Sequence, residues 1–203
     1  LAVAQLAMAI KPFANCYWIF CGPGNNGGDG LEAAVQLHQR GQKVVVLLWQ
    51  TQKRPADSEA ALKKVLALGI ATVSQLDSTH SISSSDLVID ALLGIGLRNQ
   101  NTASEKANVD EVPSMLAWIE AAYQSGADVL AVDIPSGLNA NTGNFEDASL
   151  QRVCIQATHT LQLLNAKPGC FTASGRDACG TLWLDALGSE ALQRDLDAAA
   201  RLN

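Results

Sequence analysis

The chain has 203 residues, 17% of them charged and 48% hydrophobic, and a formal net charge of −6. This balance fits one ordinary soluble domain with a proper core and excludes a disordered chain. It also argues against nucleic acid as the main partner, since a phosphate backbone recruits an excess of Lys and Arg, although a local site can still bind a nucleotide.

In chain order, Leu1 to Ile10 is Ala- and Leu-rich and mimics a signal peptide. No basic stretch precedes it, and Lys11-Pro12 interrupts it well short of a membrane span. It reads as an amphipathic helix packed on the domain, with no membrane as partner. A start at Leu1 rather than Met leads us to expect a truncated N-terminus. Strands are predicted at Tyr17–Cys21, Lys43–Trp49, Leu87–Ala91, Val129–Asp133, Thr158–Leu164 and Thr181–Leu184. Helices are predicted at Gly28–Arg40, Ala56–Leu68, Val112–Ser125 and Glu190–Arg201. Continuous runs such as Val44-Val45-Val46-Leu47-Leu48 indicate burial on both faces, as in a mostly parallel sheet. Strand–helix alternation then predicts a three-layer α/β/α, doubly wound fold of Rossmann-like type. Asn99–Val109 is polar and without periodicity, and reads as a mobile loop. No internal repeat or domain boundary stands out, so residues 1–203 are expected to form one domain.

Five cysteines, Cys16, Cys21, Cys154, Cys170 and Cys179, are odd in number and scattered. With no Cys-x-x-Cys and three histidines, zinc is disfavoured, and the thiols read as buried or idle ones in a reducing, cytoplasmic setting.

In open parallel sheets, ligands bind beyond the carboxyl ends of the strands. Three predicted strands end in informative segments. The first runs into Cys21-Gly22-Pro23-Gly24-Asn25-Asn26-Gly27-Gly28-Asp29-Gly30, where glycines followed by a helix gather free backbone N–H groups at the positive end of a helix dipole. The third ends Val88-Ile89-Asp90-Ala91-Leu92-Leu93-Gly94-Ile95-Gly96-Leu97. The fourth ends Val132-Asp133-Ile134-Pro135-Ser136-Gly137-Leu138. Residues 22–27 satisfy G-x-G-x-x-G, yet the second strand ends Trp49-Gln50-Thr51-Gln52 and lacks the acid that an NAD dehydrogenase sets on the ribose. No Gly-Lys-Ser/Thr follows, which excludes a Walker loop. On the residues alone, Asp90 fits a turn cap as well as a cation ligand. Ser136 fits a turn, with no His at a spacing that suggests a serine nucleophile.

Asn25-Asn26-Gly27-Gly28-Asp29-Gly30 resembles the core motif of the NAD(P)H-hydrate epimerases, the YjeF N-terminal domain family. The resemblance continues in order through Asp90 to Leu97, Val132 to Leu138, and Lys167-Pro168-Gly169, and so spans most of the chain. Ile95 departs from a small polar residue and Glu32 from an apolar one. The resemblance implies inversion at C6 of hydrated NADH or NADPH from the R to the S form, for later use by a dehydratase. It implies substrate contacts from Asn25, Asn26, Gly27, Gly28 and Asp29, from Gly94, Ile95, Gly96, Leu97, Arg98, Asn99 and Gln100, and from Asp133. It also implies a potassium ion held by Asn26, Asp90 and Ser136, a ligand set whose oxygen chemistry suits a hard cation. Asp133 is expected to stabilise a cationic intermediate and relay a proton. Lys167 fits a pairing with Asp133, a phosphate contact, or a solvated turn. The family commonly forms homodimers and is fused in many bacteria to a C-terminal dehydratase. Two rival readings are an NAD(P)-linked oxidoreductase and a non-catalytic scaffold module on the same fold.

Overall fold

A computed structural model describes residues 1–51, 53–77, 80–95, 112–145 and 154–189. Its elements in chain order are α1 (Ala2–Ile10), β1 (Tyr17–Cys21), α2 (Asn25–Gln39), β2 (Val44–Leu48), α3 (Ala56–Ala67), β3 (Ala71–Val73), β4 (Leu87–Ala91), α4 (Val112–Ser125), β5 (Asp128–Val132), β6 (His159–Leu163), α5 (Gly175–Ala178) and β7 (Thr181–Asp185), with a 3-10 turn at Pro168–Phe171. The described strands form one seven-stranded sheet in the order β3-β2-β1-β4-β5-β6-β7. Every pairing in it is parallel.

Alternation along the strands sorts the apolar side chains onto two faces. Tyr17, Ile19, Val44, Val46, Leu87 and Ile89 pack with α1, α2 and α3 on one side. Trp18, Phe20, Val45, Leu47 and Val88 pack on the other side with Met115, Trp118, Ile119 and Ala122 of α4, whose spacing is that of one helical face. Both faces of β1, β2 and β4 are therefore covered, which accounts for their unbroken apolar sequences. A smaller cluster of Ile134, Leu138, Cys154, Cys170, Ala178 and Cys179 closes the far end beyond β5.

The doubly wound α/β prediction matches this architecture. In detail, β5 begins and ends one residue earlier than expected, which puts Asp133 just outside it, and β6 is one residue shorter than expected at each end. The short strand β3 was not anticipated. All five cysteines are free and buried. The predicted helix 190–201 and the loop 99–109 fall outside the described residues. No helix among the described residues is long and apolar enough to cross a membrane.

Strand order reverses between β1 and β4: the chain winds outward through β2 and β3, then returns to β4 and proceeds the other way. The crevice at such a reversal, beyond the carboxyl ends, is where open sheets receive ligands.

Candidate functional site

The turn after β1 is built by steric necessity. Gly22 donates its N–H to the Ala91 carbonyl at 3.0 Å, and a Cβ on it would run into the Leu92 carbonyl. A Cβ on Gly27 would likewise strike the Gly22 carbonyl. These two glycines let the first turn of α2 lie directly against the exit of β4. The helix begins at Asn25 with Gly24 as its cap, three residues before the predicted start, so the asparagines are helical rather than part of a loop. No side chain caps this end, which leaves first-turn N–H groups open to an anion.

Beneath the turn lies a buried oxygen cluster. Asp90, fully buried in β4, accepts the Ser136 hydroxyl at 2.6 Å and the Leu92 N–H at 3.2 Å on one oxygen, and the Ser136 N–H at 2.8 Å on the other. Burial pushes its carboxyl up to about 6, although these three donors pull the other way. Ser136 in turn accepts the Leu93 N–H at 2.9 Å. Asn26 donates its amide to the Leu93 carbonyl at 3.1 Å, while its own Oδ1 is buried without a hydrogen-bond partner. Gly94 roofs this amide, since a Cβ there would sit 3.2 Å from the Asn26 Cβ.

An orphaned amide oxygen costs about 1–3 kcal/mol. With the Asp90 carboxyl and the Ser136 hydroxyl it belongs to a group of hard oxygen donors that could hold a cation such as potassium. Among the described residues no cluster of three His, Cys, Asp or Glu offers an alternative metal centre. The fold thus gathers Asn26, Asp90 and Ser136, the three expected cation ligands, from α2, β4 and the turn after β5.

Asp133 follows β5 at a φ of 68°. Its Oδ1 accepts the Leu163 N–H at 3.1 Å and pairs with Lys167 Nζ. Lys167 is 7% exposed and also donates from Nζ to the Leu163 carbonyl at 2.6 Å. The solvated-turn alternative for Lys167 is therefore incorrect: a lysine this deep needs its ion pair. Asp29, on the first turns of α2, shares the cleft with Asp133. Although the residue is exposed overall, partial desolvation, followed by the charge of Asp133, raises its pKa.

These groups share a cleft of about 620 Å³ whose lining includes Asn25, Asn26, Asp29, Gly94, Asp133 and Lys167. A neighbouring hollow of about 290 Å³ adjoins it along Gly94, Asn165 and Lys167, which line both, and extends to Asn141. The larger volume lies within the range of small-molecule sites. Gly27 and Gly28 serve packing, Gly28 against Ser58, while Ile95 lines both hollows. Gly96, Leu97, Arg98, Asn99 and Gln100 lie outside the described residues.

Sequence reasoning overlooked Pro55, Leu164, Asn165 and Leu187, which also line this cleft and carry no charged signal. It also overlooked Arg54, which donates to the Gly22 carbonyl at 2.7 Å and to the Trp49 carbonyl. Arg54 thereby ties the exits of β1 and β2 together.

An amide–carboxylate–hydroxyl cluster and an acid–lysine pair at the switch point define a doubly wound α/β domain with a polar small-molecule cleft. The model for the N-terminus of YjeF-related proteins matches residues 1–169, and the chain belongs to that family. It is 40% identical over 189 residues to an NAD(P)H-hydrate epimerase of Achromobacter xylosoxidans, covering 92% of this chain and 82% of that one. It is 35% identical to the bifunctional NAD(P)H-hydrate repair enzyme Nnr of Escherichia coli, over 92% of this chain but 33% of the relative. The chain thus spans about a third of the bifunctional relatives it matches. In fold it is similar to the crystal structure of yeast ynu0, YNL200c, with a TM-score of 0.64 at 18% identity, covering 86% of this chain and 72% of that one.

Proposed function

We propose that the domain is an isomerase that inverts C6 of hydrated NADH or NADPH, converting the R to the S form. The observation that carries this reading is the largely buried Asp133–Lys167 pair, which shares with Asp29 the lining of a nucleotide-sized cleft, in a chain whose relatives of similar length are named NAD(P)H-hydrate epimerase.

The reacting carbon bears a hydroxyl beside a ring nitrogen. Departure of that hydroxyl as water, with a proton supplied by the Asp133–Lys167 pair, leaves a nitrogen-stabilised cation. Water then adds to the opposite ring face and returns a proton to the pair, so nothing is consumed. Asp133 faces the cation as counter-charge, and its attachment to Leu163 and Lys167 fixes the oxygen that does so, preorganised as electrostatic catalysis requires. Lys167 keeps Asp133 oriented and stands as its counter-charge. Asp29, whose raised pKa keeps a proton more readily, is placed to hold the leaving hydroxyl. Asn26, Asp90 and Ser136 would hold a potassium ion, which when bound supplies fixed positive charge beside the substrate's phosphates. The open first turn of α2 would take a phosphate through backbone N–H groups.

Because relatives named bifunctional are about three times longer, we assign the chain a place beside a dehydratase, fused or separate, that consumes the S form. We further place it in the cytoplasm as a homodimer.

The test is to mix pure R-hydrate with the protein and follow the diastereomer ratio against the spontaneous background, with and without potassium. We expect a rate well above buffer for the wild type and a loss of at least about a hundredfold for Asp133→Asn, the range for a positioned proton-transfer group. A wild-type rate equal to buffer would assign the chain to the non-catalytic scaffold reading instead.

A further inference from the structure

Asp133 and Leu164 stand at the ends of neighbouring strands in the same unusual turn. Asp133 has φ 68° and Leu164 φ 66°. Each centres a three-residue turn closed by a short hydrogen bond, from the Ile134 N–H to the Val132 carbonyl and from the Asn165 N–H to the Leu163 carbonyl, both 2.8 Å. Turns of this type with positive φ at the centre are rare and strained. Leu187, after β7, also lies in the left-handed region at φ 50°. A leucine there has no side-chain hydrogen bond to offset the clash between its Cβ and the backbone.

Burial does not repay this strain, for Leu164 is 51% and Leu187 53% exposed. One residue fixes both. Asp185 accepts the Leu164 N–H on its carbonyl at 2.9 Å and the Leu187 N–H on its carboxylate at 2.7 Å. Both leucines line the cleft that holds Asp133, Lys167 and Asn26. The device that aims the carboxylate into the cleft on β5 is thus repeated on β6 with an apolar side chain.

We propose that Leu164 and Leu187 form the apolar seat of the reacting nicotinamide-derived ring, holding one of its faces while Asp133 meets the reacting carbon. They are positioning residues, and this assignment rests on the epimerase reading. The ring is uncharged before reaction and largely apolar on its faces, so covering it with two exposed leucines removes apolar surface from water on both sides. The phosphates are left for the α2 end of the cleft, near Pro23 and Asn25.

The test compares wild type with Leu164→Gly, Leu187→Gly and Leu164→Asn in three measurements: thermal midpoint, steady-state epimerisation of the R-hydrate, and calorimetric binding of reduced nicotinamide mononucleotide and of 5′-AMP. Glycine and asparagine both accept the left-handed backbone, so each variant is expected to fold with an equal or higher midpoint. KM for the hydrate should nevertheless rise about tenfold, the scale set by losing one buried apolar contact. Affinity for the reduced mononucleotide should fall in parallel, AMP binding should hold, and Leu164→Met should restore the wild-type KM. Unchanged KM and mononucleotide affinity in all variants, or a loss confined to AMP, overturns the assignment. A wild-type chain with no epimerase activity instead defeats the function it rests on, and the two failures are separable in one experiment.

Discussion

At the residue scale, the chemistry rests on two acids and a lysine that share one end of a cleft. The pKa of Asp29 is raised from its ordinary value by desolvation and then by the negative charge of Asp133. That charge disfavours ionisation of Asp29, so its removal must favour ionisation and lower the pKa. Carboxyl-carbon NMR should therefore show Asp29 titrating above a free aspartate in wild type and measurably lower in Asp133→Asn. An unchanged midpoint would mean that the two carboxyls do not sense each other. Lys167 gives a complementary test. With Lys167→Met the Asp133 charge keeps the Leu163 N–H but loses its counter-ion, and breaking a buried pair from one side costs about 3–5 kcal/mol. The double variant Asp133→Asn/Lys167→Met removes both charges and should recover most of that loss in urea unfolding. Equal instability of the single and double variants would contradict a buried ion pair.

At the element scale, the join between β1 and α2 explains both what the sequence shows and what it conceals. The apolar run, the glycines and the helical spacing after Leu31 announce a strand, a tight turn and a helix. The helix start is hidden because Asn and Gly are poor helix formers, and their helical state comes from contact with β4 that no local pattern encodes. Gly27 and Gly24 separate these roles. Gly27→Ala has no room beside the Gly22 carbonyl and should destabilise by about 1–3 kcal/mol as overpacking does. Gly24→Ala meets nothing within 4 Å at an ordinary φ of −92°, and should cost under about 1 kcal/mol. Denaturant midpoints would check the pair, and similar losses at both positions would refute the close-approach account. The same division runs through the site. Asn26, Asp90, Asp133 and Ser136 were legible because polar residues at strand ends stand out. Leu164 and Leu187 were not, since a leucine in a left-handed turn looks in sequence like any strand-end leucine. The three-residue β3 is too short and too exposed to carry a periodic signal.

At the scale of the whole molecule, the reversal of strand order between β1 and β4 brings together three segments far apart in sequence. Asn26 comes from the helix after β1, Asp90 from β4, and Ser136 from the turn after β5. A cation held by all three would bind the native chain and not the unfolded one, so by mass action it must raise global stability. At a concentration ten times its dissociation constant the gain is RT ln 11, about 1.4 kcal/mol, which shifts the melting midpoint of a domain this size by about 3–5 °C. Potassium chloride should therefore raise the midpoint above that in choline chloride at equal ionic strength, where general screening is matched. Asn26→Leu is the informative variant. It removes the orphaned Oδ1 and its desolvation cost, so the potassium-free protein should lose little stability even though the bond to the Leu93 carbonyl goes. Its response to potassium should vanish. Equal midpoints in the two salts for wild type, or a potassium shift that survives in Asn26→Leu, would mean that the buried oxygen cluster is a structural cap between β4 and β5 and not a cation site.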